Sequence, residues 1–331
     1  KIGRKLGFIT GIFITTFAGL LASISIMNNN FILFCFSNFL IGIGTAFGAQ
    51  YRFAAAESVE KKYISKAISI ILFASMIGAL IGPNVATLTK NIFPNSLYSG
   101  SYIFLSILSI IPLIFFIFFK NESKKIKNEY INKDTRKYYQ LIIQPKFLQA
   151  VVSAGIGYAT MSFLMTATPI SMHIFDGISI DKTGFVIQMH ILAMFLPSLI
   201  TGNLVDKYGH SKIMYSGVII LFLCIILNLI DHSFYNYLFS LILLGIGWNF
   251  LFISGTSLLI LSYKSHEKFK AQGLNDFSVF TTQATGAFLA GFILNIYNWQ
   301  ITNLICIPLL LILVFVVYRS DKITRKNYYN V

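Results

Sequence analysis

Long apolar stretches alternate along this chain with short polar knots. Ten apolar runs stand out, at about 7–27, 31–50, 67–89, 101–119, 148–172, 183–205, 213–230, 234–262, 277–296 and 299–318. Each is close to the roughly 20 residues that an α-helix needs to cross a hydrocarbon core. Barrel strands are about ten residues long and alternate in polarity, and these runs do neither, so helices are expected. The pattern predicts an all-α polytopic membrane protein with ten spans.

Composition narrows this further. Of the 331 residues, 56% are hydrophobic and 11% charged, and the mean hydropathy is +0.72. A soluble domain carries roughly 25% charged residues, so this chain lacks the polar groups to cover a water-facing surface. Cys35, Cys224 and Cys306 all fall inside apolar runs, which implies buried thiols and no disulfide framework.

The net charge is +14. Nucleic-acid binding and the positive-inside rule both explain such an excess, and the positions of the cations separate them. If the chain starts in the cytoplasm and each run crosses once, 24 of the 26 Lys and Arg residues fall on the cytoplasmic side, leaving Lys90 and Lys182 opposite. That distribution puts both ends on the cytoplasmic side and calls for the bilayer and no nucleic acid as partner; the expected location is a cytoplasmic membrane. The first run has 21 residues, longer than a signal peptide's apolar core, and nine runs follow it, so it is read as a span.

The chain repeats itself. LIGIGTAF at 40–47 matches LLGIGWNF at 243–250, Lys66-Ala67 matches Lys270-Ala271, and KIGRK at 1–5 matches KYGHS at 207–211. The offsets are 203, 204 and 206, in the same order, as expected of a duplicated unit. The expected domains are a first half over 1–120, a polar linker over 121–146 and a second half over 147–331. The second half holds six runs and the first four, so two further spans are expected before Lys1.

The knot GNLVDKYGHSK at 202–212 resembles the loop signature G-x-L-a-D-r-x-G-r-k of the major facilitator superfamily, at Gly202, Leu204, Asp206, Lys207 and Gly209. KIGRK, with Gly3 and Arg4, resembles the end of the first-half copy. GALIGP, with Gly78, Gly82 and Pro83, is similar to the glycine-proline helix-packing motif of the family's fifth helix. YRFAAAE (51–57), TATPISM (166–172) and the stretch from GWNFLF to AQGLNDF (247–277) resemble a bacterial group of that superfamily, some of whose members are linked to riboflavin uptake. The resemblance implies family helices three to twelve, two pseudo-symmetric bundles, and alternating access by rocking of the halves. It also implies that Asp206 faces the start of the helix near Lys66 and acts with Gly202, Lys207, Gly209, Gly3 and Arg4 as a gate. Asn38 stands where many proton-coupled exporters carry an arginine, which favours uptake or facilitated diffusion over export.

Candidate pathway residues are polar or aromatic groups at mid-span. His190 is a titratable side chain deep in its run, a candidate for carrying a proton. Trp248 offers a face for a flat or cationic solute, with Asn249 beside it. Tyr158, Ser162 and Thr166 repeat every four residues on one helix face, and Gln188 joins them. Packing by small polar residues is the rival reading. Arg52 is read as structural, through snorkelling or a pair with Glu57.

The twelve carboxylates are scattered, and neither a metal-ligand set nor a glycine-rich nucleotide loop is present, so an enzyme, a metal and a cofactor are not expected. The expectation is a monomeric secondary transporter for a small organic solute, with a proton as candidate coupling ion. A multidrug or metabolite exporter, a riboflavin-type uptake carrier and a non-functional remnant remain open as alternatives.

Overall fold

The structure, a computed structural model, describes residues 3–118 and 136–329; the sequence-derived linker lies outside these residues up to Asp134-Thr135. Fifteen α-helices are described: α1 Gly3–Met27, α2 Phe31–Ala49, α3 Tyr51–Glu57, α4 Ile64–Thr89, α5 Ser99–Ile110, α6 Pro112–Phe118, α7 Tyr138–Ile142, α8 Pro145–Ile170, α9 Ile180–Phe195, α10 Ser198–Tyr208, α11 His210–Ile230, α12 Phe234–Ser262, α13 Lys268–Ile296, α14 Trp299–Leu304 and α15 Cys306–Tyr329. Ten stretches among them are long and apolar enough to span a membrane. The run expected at 277–296 begins earlier, in a helical stretch Ser265–Ile296. Its polar first turns escape a search for apolar runs, because Gln272 there is satisfied by Glu57 and the Tyr263 hydroxyl at 2.8 and 2.6 Å.

In hydrocarbon every backbone N–H and C=O must find a partner, and helices provide it. Side chains close the helix starts. Asn30, Ser179, Ser233 and Asn298 accept from the backbone N–H of Leu33, Lys182, Asn236 and Ile301. Asn30 and Ser233 are 203 residues apart, the spacing of the repeat.

Contacts divide the chain into two compact units, Lys1–Ala54 with Ile77–Lys133, and Ala55–Met76 with Asp134–Val331. In the first unit α1 crosses α2 at two glycines. A Cβ on Gly44 would lie 3.1 Å from the Gly11 carbonyl oxygen and 1.9 Å from Thr15 Oγ1. In the second unit α11 crosses α12 in the same way. A Cβ on Gly247 would lie 3.1 Å from the Gly217 carbonyl oxygen and 2.7 Å from the Leu221 side chain. Glycine is required at both crossings because the backbones themselves touch.

Both ends of the repeat also share a turn. Gly3 has φ +79° and begins α1, and Gly209 has φ +86° and ends α10 before α11 begins. Cys224 and Cys306 are buried, as the sequence suggests, but Cys35 is exposed, because α2 buries little beyond Ser37 and Gly44.

Candidate functional site

The second unit gathers the mid-span candidates around α12. Trp248 is the fifteenth of the 29 residues of that helix. Its ring stacks on Phe252 at 4.9 Å and 12°, one turn on. Tyr158 of α8 sets its edge against both rings, at 5.1 and 5.0 Å, and Phe195 at the end of α9 approaches Trp248 at 6.1 Å. Trp248 and Phe252 are buried, while Tyr158 and Phe195 are half-buried. The group therefore has a solid aromatic floor and two reachable edges. Edge-to-face contacts of this kind each contribute about 0.5–1.5 kcal/mol beyond the area they bury.

Asn249, next to Trp248, is fully buried and faces the other way. Its Nδ2 donates to the Met194 carbonyl and to Ser198 Oγ, both at 2.7 Å, and its Oδ1 accepts from Thr201 Oγ1 at 2.7 Å. These partners flank Pro197, where α9 gives way to α10. Proline cannot donate to the carbonyl one turn back, so the break needs outside support. The sequence reading put Asn249 with the solute-lining groups; its side chain is instead spent on holding this break.

His190 sits in the same α9–α12 interface. It is completely buried, its Nδ1 lies 2.8 Å from the Leu241 carbonyl oxygen, and its Nε2 has no hydrogen-bond partner among the described residues. Close approach of the two helices is set by Gly245, whose Cβ would meet the His190 carbonyl oxygen at 2.8 Å. Ser162 is buried on α8, whereas Thr166 and Gln188 are exposed. None of the three makes a hydrogen bond to the groups above, so the structure brings together Tyr158, Trp248, Asn249 and His190 around α12 without them.

The knot at 202–212 touches α4, but through a different atom from the one expected. A Cβ on Gly202 would lie 2.6 Å from Ser69 Oγ, 2.8 Å from the Ser65 carbonyl oxygen and 2.9 Å from Lys66 Cα. The Asp206 carboxylate is exposed and makes no hydrogen bond or ion pair with any described residue. It lies one helical turn past the crossing, so the expected contact of Asp206 with the start of α4 is replaced by a backbone contact at Gly202. Lys207 lies over the Tyr208 ring at 5.1 Å. Gly78 and Gly82, expected to pack another helix, have no described atom within 4 Å of a built Cβ. Pro83 lies inside α4, and Asn38 donates to its own helix at the Phe34 carbonyl, 2.8 Å away.

Two polar clusters had no clear signal in the sequence. At the lysine-rich end of the second unit, Glu267 is 1% exposed and accepts from Arg136 Nη2 at 2.6 Å, Nε at 2.8 Å and backbone N at 3.1 Å. Arg136 also donates to Gln144 Oε1, and Lys270 Nζ donates to the Arg136 carbonyl. The bond to Glu267 raises the guanidinium's pKa further above its ordinary value, so the pair stays charged at any physiological pH. Glu57, considered for Arg52, accepts from Lys268 at 3.1 Å and from Gln272 at 2.8 Å, while Arg52 lies buried over the Phe53 ring. At the opposite end, Asp176, His232, Tyr237 and Ser171 are joined by hydrogen bonds. Two segments far apart in sequence, Ser171 to Asp176 and His232 to Tyr237, meet there, which no local pattern announces.

A duplicated helical membrane protein with paired glycine crossings is the architecture of one large transporter class, and the match is direct. The family model of the Major Facilitator Superfamily matches residues 1–176 and again 150–328. The chain belongs to this family and is a multi-pass secondary transporter. It is 32% identical over 321 residues to the riboflavin transporter RfnT of Brucella anthropi, covering 96% of this chain and 80% of that protein. It is 28% identical over 333 residues to the uncharacterized MFS-type transporter YddS of Bacillus subtilis, covering 96% of this chain and 76% of the relative. Among solved structures, the transporter FucP in its outward conformation aligns with TM-score 0.75 at 13% identity, covering 96% of this chain and 83% of the other. A bacterial homologue of the iron transporter ferroportin aligns with TM-score 0.68 at 12% identity, over 97% and 84%.

Proposed function

We propose that this chain carries a flat-ringed small organic solute of the flavin type into the cell, with a proton as the coupling ion. The observation that carries the reading is the aromatic group of Trp248, Phe252, Tyr158 and Phe195 at mid-span, in a chain similar along 96% of its length to a riboflavin transporter. Aromatic edges and faces suit an extended fused ring, which presents the same geometry to them. Ser162, Thr166 and Gln188 line the path on this reading, and His190 takes part through its free Nε2. The absence of an arginine at Asn38 favours uptake over export.

The same reading places both ends of the chain in the cytoplasm of a bacterial inner membrane, on the strength of the 24-to-2 division of cations. The halves 1–120 and 147–331 act as the moving bodies of a monomer, and the knot from Gly202 to Gly209, with its counterpart at Gly3 and Arg4, gates their motion at the lysine-rich end.

The test is uptake of labelled riboflavin by purified protein in proteoliposomes, with and without an inward proton gradient. Saturable, gradient-stimulated uptake is expected. Replacing Trp248 by Ala should weaken it roughly tenfold, and Trp248→Phe should retain most of it, as a stacking contact predicts. Wild-type protein with no saturable riboflavin uptake would overturn the flavin reading, and gradient-driven efflux would overturn its direction.

A further inference from the structure

The end of the second unit remote from the lysine-rich loops holds a chain of ionisable groups that leads from the surface inward. It begins at His232, between α11 and α12, whose side chain is 35% exposed. The Nε2 of His232 lies 3.0 Å from Gln300 Nε2, and its Nδ1 lies 3.3 Å from Asp176 Oδ1. The other oxygen of Asp176, Oδ2, accepts from the Tyr237 hydroxyl at 2.5 Å. That hydroxyl is also 2.8 Å from Ser171 Oγ. Tyr237 and Ser171 are each 1% exposed. The hydrogen bonds therefore run from side chains 35% and 21% exposed to two buried hydroxyl groups. Ser171 opens the π-helical turn Ser171–Phe175 that ends α8, an irregular turn of the sort often found at functional positions.

The chain points at a group the solute pathway already contains. Leu241 follows Tyr237 by four residues, one turn of α12, about 6 Å along the axis at 1.5 Å per residue. The Leu241 carbonyl holds His190 Nδ1, and His190 Nε2 is buried without a partner. The hydrogen-bonded chain thus meets α12 one turn from the carbonyl that holds a buried imidazole.

We propose that His232 and Asp176 load the coupling proton at this end, with Tyr237 and Ser171 as the buried hydrogen bonds that hold Asp176 in place. This rests on the proton-coupled reading above. A proton from the medium takes the His232–Asp176 pair from one net negative charge to none. Tyr237 keeps its bonds to Asp176 Oδ2 and Ser171 Oγ throughout, so nothing but the loaded proton moves. The other charged or titratable groups on the loops at this end are His173, Asp181, Lys182, Asp231, Tyr235 and Tyr297. His173 Nδ1 is engaged by the Ile178 carbonyl, Asp231 accepts from the His232 backbone, and Lys182 lies over Phe234. None of them continues the inward path.

A reporter is built in. The chain has two tryptophans, and Trp299 packs against Tyr237 with ring centroids 5.2 Å apart. In a Trp248→Phe background, Trp299 fluorescence should shift when the pH is titrated from about 8 to about 5. His232→Gln and Asp176→Asn should abolish that titration, and Tyr237→Phe should leave it. In proteoliposomes with otherwise native protein, riboflavin uptake should rise roughly tenfold as the outer pH falls from about 7.5 to 5.5. His232→Gln and Asp176→Asn should each flatten that profile to less than about twofold. His232→Gln, at an exposed position, covers the case in which Asp176→Asn fails to fold. A Trp299 signal that ignores pH, or that titrates unchanged in His232→Gln, overturns the loading site. Uptake profiles of these two variants that superimpose on the wild type overturn the loading role while leaving proton coupling intact. Wild-type uptake that ignores the proton gradient overturns the proton-coupled reading itself.

Discussion

The two glycine-crossed helix pairs, α1–α2 and α11–α12, repeat one backbone solution with different surroundings. Gly11 meets Gly44, and Gly217 meets Gly247, each with a carbonyl 3.1 Å from the built Cβ. Two residues before each second glycine the pairs part. A Cβ on Gly245 would strike the α9 backbone at 2.8–2.9 Å, whereas Gly42 has no described atom within 4 Å. The span Phe31–Glu57 accordingly has 11% of its apolar window buried, against 67% for Phe234–Ser262. One position after the shared glycine, the first half carries Thr45-Ala46 where the second carries Trp248-Asn249. The crossing is thus a common scaffold, and the chemistry has been placed on one copy of it.

The sharpest way to break this comparison is to add one methyl to each copy. Gly245→Ala should destabilise the protein by about 2–3 kcal/mol, because the added carbon meets backbone and cannot be moved aside. Gly42→Ala should be neutral or stabilising by up to about 1 kcal/mol, since alanine favours a helix. Thermal unfolding in detergent, followed by tryptophan fluorescence, separates the two, and equal shifts would dissolve the contrast. Next in size is Asn249→Ala, which writes the first half's residue into the second. It removes three hydrogen bonds and leaves the Ser198 hydroxyl buried without that partner, while Thr201 keeps the Pro197 carbonyl, so a loss of about 2 kcal/mol is expected in the same assay. A loss below about 0.5 kcal/mol would mean that the Pro197 break does not depend on Asn249.

Gly209→Ala comes third. Its φ of +86° with ψ of 156° is a conformation that glycine alone takes easily, and about 1–2 kcal/mol is expected from chemical denaturation. The matching Gly3→Ala should behave alike if the two turns are equivalent. The smallest effect should come from Asp206→Asn. The carboxylate has no partner among the described residues, so stability should change by less than about 0.5 kcal/mol. A larger shift, measured alongside Gly202→Ala as the positive control, would restore the aspartate to the crossing from which the structure has moved it.

Much of the architecture was readable in the chain. Residues such as Trp248 and His190 stand out in the sequence because a polar or aromatic group in the middle of an apolar run is rare. Their neighbours did not. Met194, Ser198 and Thr201 became partners of Asn249 only because α9 breaks at Pro197 and presents them to α12. Asp176 and His232 are 56 residues apart and look like ordinary loop residues until α8, α11 and α12 end side by side. Asp206, the most legible residue of the knot, turned out to be exposed, while Gly202 made the contact.

The sequence by itself determined the number and approximate positions of the spans and the duplication. Those features follow from a solvent that accepts only continuous apolar helices and penalises charge, and such a demand is met residue by residue along the chain. The tertiary structure alone decided which glycines touch backbone, which polar groups find partners, and which are left buried with a free atom. Those outcomes depend on the rotation and crossing point of each helix against its neighbour. One turn's difference along α10, from Gly202 to Asp206, is enough to exchange a contact for exposure.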